Sequence, residues 1–67
     1  MSAKEMSETL VRLVENLPQS ALWDMALIHE IVQAAADIGR CLKAGTVPDE
    51  KAIFGGRIAR YLEVDAA

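Results

Sequence analysis

The chain has 67 residues, 52% of them hydrophobic, and a net charge of −3 from ten acidic and seven basic side chains. A domain of this size buries only about 60% of the surface its unfolded chain exposes, so it carries more apolar side chain than one small core consumes. Acidic and basic residues are interspersed, which excludes the polybasic footprint of a phosphate-backbone binder and disfavours nucleic acid and anionic membranes as partners.

Ser2 followed three residues later by Glu5 is a reciprocal capping-box arrangement at a helix start. It predicts helix 1 over about 3–16. Met6, Leu10, Leu13 and Leu17 recur at steps of four, three and four, which puts them on one stripe, widened by Val14. Pro18 has no amide hydrogen and pushes Leu17 out of helical geometry, so a break is expected there.

From that break the only glycine or proline before Lys43 is Gly39, and helix 2 is predicted over about 19–43, roughly 36 Å long. At 100° per residue, Ile38, Ile31, Leu42, Ala35, Ile28, Gly39, Val32, Met25 and Ala36 form one continuous apolar sector. Leu27, Ala34, Trp23 and Cys41 extend it to roughly 220° of the circumference. Only Glu30, Asp37, Gln33, Arg40 and His29 favour water, so the helix needs neighbours on at least two sides. Lys43 and then Gly45 form a helix stop.

Pro48, Asp49 and Glu50 open a third helix, predicted over about 48–63, with a proline in the first turn and two acids beside the exposed amides. Phe54, Ile58, Tyr61 and Leu62 supply its apolar stripe. Gly55-Gly56 weakens it by about 1 kcal/mol per glycine relative to alanine. The periodicity favours one continuous helix; the double glycine leaves open a short turn followed by a separate helix from Arg57.

Residues that carry chemistry are sparse. His29 and Cys41 lie 12 residues apart on the same predicted helix, roughly 18 Å along its axis, too far for a nucleophile–base pair within one chain. One histidine and one cysteine show no zinc-ligand spacing. Gly55-Gly56-Arg57 lacks the strand and the Lys-Ser or Lys-Thr pair of a phosphate loop. The expectation is no catalytic residue, no metal and no cofactor. The lone Cys41 makes the fold independent of oxidation and suits a reducing, cytoplasmic setting. No secretory signal is expected, because the start is charged and amphipathic. Charged residues within 21–42 argue against a membrane span.

The expected fold is all-α, a single three-helix unit in which helices 1 and 3 pack on a longer helix 2. Part of the apolar sector is left for a second copy, giving a helical homodimer. Its expected contact residues are Trp23, Leu27, Ile31, Ala34, Ala35, Ile38 and Leu42. The expected function is a non-enzymatic protein–protein interaction module: a regulator, inhibitor or accessory subunit that binds a larger protein. The alternatives are a small DNA-binding regulator, with Arg57 and Arg60 as its basic contacts, and an anti-activator that sequesters one. In outline, a short helix, a Leu-Pro break and a long apolar helix, the chain is loosely similar to small dimeric anti-activators. That likeness rests on no specific motif and assigns no residues.

Overall fold

The computed structural model describes residues 1–66, with side chains through Leu62. Four α-helices and a 3-10 turn account for its regular structure: α1 Ala3–Asn16, the turn Gln19–Trp23, α2 Met25–Ala44, α3 Glu50–Ile53 and α4 Gly56–Ala66. No strand occurs among the described residues. The residues beyond Val64, which the sequence suggests would fray, lie outside the described side chains.

The capping box forms at the start of α1. The Ser2 hydroxyl accepts from the Glu5 N–H at 3.1 Å, and the Glu5 carboxylate accepts from the Ser2 N–H at 3.0 Å. Donation from the Ser2 backbone N–H, and secondarily from the Ser2 side chain, holds the Glu5 carboxyl below its ordinary value of 4.5. The inner stripe of α1 is Met6, Leu10 and Leu13, all buried.

Helix 2 starts later than the sequence pattern predicts, at Met25 instead of about residue 19. After Pro18 the chain makes a 3-10 turn, closed by Ala21 N–H to the Pro18 carbonyl at 2.9 Å and Asp24 N–H to the Ala21 carbonyl at 3.1 Å. Asp24 then takes an extended backbone conformation, and its carboxylate accepts from the Leu27 N–H at 3.1 Å. An aspartate that can satisfy an orphan amide this way is a strong helix initiator, and it starts a fresh helix in place of continuing a 3-10 turn. The resulting α2 has 20 residues, about 30 Å long. It ends as predicted at Gly45, whose φ of 74° only glycine adopts without penalty. The Thr46 N–H reaches back to the Cys41 carbonyl at 2.9 Å to close the end.

The continuous third helix is corrected to two. Asp49 caps a single turn, α3, and the chain breaks at Phe54 and Gly55 before α4 begins. Gly56 has φ 62°, outside right-handed helical space, and a Cβ at Gly55 would sit 2.8 Å from the Lys51 carbonyl oxygen. The break serves packing. Ile53 and Ile58 are both buried, yet five residues apart they would point about 140° away from each other on one helix. Separating them by two glycines turns both into the core.

That core joins Met6, Leu10 and Leu13 of α1, Ala21 of the turn, Leu27, Ala34 and Ile38 of α2, Ile53 of α3 and Ile58 of α4. Leu17, Ile31, Phe54, Tyr61 and Leu62 pack around it. Both α1 and α4 lie on α2 and touch each other. Met6, Leu27 and Ile58 are sealed completely; each contributes about 1.5–3 kcal/mol by leaving water. No helix among the described residues is long and apolar enough to cross a membrane.

Candidate interaction surface

The apolar sector of α2 divides into two faces. Leu27, Ala34 and Ile38 point inward and are covered by the chain's own helices. In this conformation they are therefore not available to a partner, although the sequence places them in the same contact set as their neighbours. Ile31 is half-buried at the boundary. Ala35 and Leu42 are exposed, and so are Met25 at 71%, Val32 at 58%, Ala36 and Gly39. Trp23, from the 3-10 turn, is 83% exposed beside exposed Leu22.

The outer face continues onto α1. Val11 and Val14 are exposed on its flank. With Leu10, Glu15, Ile31 and Ala35 they line a groove of about 250 Å³ between α1 and α2. Glu15 is the one charged residue in that lining. Monomeric proteins rarely leave a contiguous apolar patch of this kind uncovered, and two helices rather than one present it here. Sequence periodicity identifies the sector but not the α1 flank. The spacing of Ser7, Val11 and Val14 at steps of four and three is the signal that would have found it.

On the opposite side of α2 the structure is polar. Here His29, Glu30, Gln33 and Asp37 meet Ile53, Gly55 and Gly56 around a cleft of about 280 Å³. The Glu30 carboxylate faces the start of α4, accepting from the Arg57 N–H at 3.4 Å, while its other oxygen is buried without a hydrogen-bond partner. A side chain at Gly56 would collide with this carboxylate. Glu30 thus acts as a cap for α4 supplied from another helix, matching a negative charge to the positive end of the helix dipole. Arg57 also turns its guanidinium to Asp24, with Nε 3.5 Å from Oδ2. Asp24 and Glu30 together tie the start of α4 to α2. Asp37 pairs with Arg40 on the same helix face. Among the described residues, no three His, Cys, Asp or Glu side chains are grouped to hold a metal ion.

No protein family, curated protein or solved structure matches the chain.

Proposed function

We propose that the protein is a non-enzymatic interaction module that works as a homo-oligomer, a small regulator, inhibitor or accessory subunit whose contact surface is the outer face of α2 with the α1 flank. The observation that supports this reading is the open apolar face formed by Met25, Val32, Ala35 and Leu42 together with Val11 and Val14. Its exposure costs free energy in water that a second apolar surface recovers, at about 25 cal/mol per Å² removed from solvent. The small residues Ala35, Ala36 and Gly39 allow another helix to approach closely. Trp23 and Leu22 stand clear of the core, where a larger protein can take up an aromatic anchor of the kind that dominates binding energy.

Against the DNA-binding alternative, one of the two arginines it requires, Arg57, is already directed to Asp24. Sedimentation equilibrium at micromolar concentration tests the reading. The expected mass is about twice the 7.3 kDa of one chain; a single-chain mass together with salt-sensitive retention on duplex DNA would favour the alternative.

A further inference from the structure

The outer face of α2 has a finer order than an apolar patch. Met25, Ile28, Val32, Ala35, Gly39 and Leu42 follow one another at steps of three, four, three, four and three, the repeat of a coiled-coil seam. Five of the six are exposed and Ile28 is half-exposed, so an entire seam 18 residues long stands without a partner helix. We propose that it pairs with the same seam of a second copy in antiparallel orientation, centred between Val32 and Ala35. This rests on the homo-oligomeric reading above and specifies its geometry.

Side-chain size selects the orientation. Antiparallel pairing about that centre sets Ile28 opposite Gly39 of the second copy, Val32 opposite its Ala35 and Met25 opposite its Leu42. Each small residue receives a large one, which is how close-packed layers fill space. Parallel pairing would stack Gly39 on Gly39 and Ala35 on Ala35, leaving adjacent layers underfilled and open to water, and Ile28 on Ile28 beyond them.

The helix dipoles and the position of α1 agree with it. The dipoles of the two helices oppose each other favourably. In an antiparallel pair the corresponding flanks of the two seams face each other. On this chain the Ile31 flank carries α1, with Val11 and Val14 lining the same groove as Ile31 and Ala35. Both α1 helices therefore fall on one side of the seam, where the exposed valines of each cover those of the other. The product is a four-helix core of two α2 and two α1 helices, with α3 and α4 on the outside.

Disulfide trapping tests the orientation at exposed positions that leave the subunit core untouched. In a Cys41→Ser background, chains carrying Met25→Cys are mixed under reducing conditions with affinity-tagged chains carrying Leu42→Cys and then oxidised. Cysteines link only when their Cα atoms come within about 7 Å. In the antiparallel pair, Met25 lies about 25 Å along the axis from Met25 of the second copy. The expected result is the mixed disulfide in at least tenfold excess over either self-linked product. Self-linked Met25→Cys and Leu42→Cys chains would overturn the antiparallel geometry while leaving self-association intact. A dimer by sedimentation that forms no disulfide would place the contact on another surface. A single-chain mass with no disulfide would overturn both this geometry and the reading beneath it.

Discussion

The two faces of α2 are made of the same kinds of residue and meet different fates. Leu27, Ala34 and Ile38 are sealed by α1, α3 and α4, while Val32, Ala35 and Leu42, similar in hydropathy and on the same 20-residue helix, face outward. What separates them is how many helices the short chain can lay against one rod. α1 covers one flank, and the α3–α4 pair, anchored through Glu30 and Asp24, covers the next. Nothing remains for the third. Hydrophobicity indicates that a face needs covering; connectivity determines whether the chain itself can supply the cover.

Substitutions that act on one face only sharpen this contrast. Leu27→Ala, in the sealed face, opens a cavity at a completely buried site and is expected to cost about 2–5 kcal/mol of stability, read as a lower urea midpoint at fixed protein concentration. A midpoint near that of the parent chain would mean that the inner face is not the core. Gly56→Ala attacks the anchor that turns α4 onto that face. It puts a Cβ at positive φ against the Glu30 carboxylate, with an expected loss of more than about 1 kcal/mol and a weaker near-UV signal from Tyr61, which packs against the core.

A smaller effect is expected at the start of α1, the helix that covers the inner flank. Ser2→Ala removes one half of the capping box, at a cost of about 1 kcal/mol. The same cap gives a pH dependence of definite sign. The Glu5 carboxyl is held below its ordinary 4.5, so its contribution is present above that value and fades as the pH falls through the lowered one. The parent chain should lose this contribution on acidification, and Glu5→Gln should flatten that part of its stability profile.

The smallest expected effect belongs to the outer face. A Cβ on Gly39 meets nothing within 4 Å in the subunit, so in a chain prevented from dimerising Gly39→Ala should raise thermal stability by about 0.5–1 kcal/mol through helix propensity. The opposite signs at Gly39 and Gly56 distinguish a glycine free of the subunit's packing from one that the packing requires.

The all-helical class, the capping box at Ser2 and Glu5, and the stop at Gly45 were legible because each depends on residues close in sequence. The late start of α2 was legible in principle, since Asp24 three residues before Leu27 is an N-cap signal, but an unbroken apolar run outweighs a single capping residue when periodicity alone is read. The division of the third helix depended on Ile53 and Ile58 both needing the same core, a tertiary demand that spacing within one segment does not reveal. The seven expected contact residues divide for the same reason. Periodicity placed Leu27, Ala34 and Ile38 together with Ala35 and Leu42 on one sector, and only the arrangement of α1, α3 and α4 separates inner from outer. The exposed position of Trp23 follows from the 3-10 turn, which lifts it off the helix it was expected to join.

Ala35→Glu separates the two faces most directly, because it places a charge at the middle of the outer seam and leaves every buried side chain in position. Its mass by sedimentation equilibrium, taken with its helical circular dichroism, is expected to show a folded single chain of about half the parent's mass. A variant that keeps the parent's mass, or one that loses its helicity, would contradict the assignment of that face to the contact between copies.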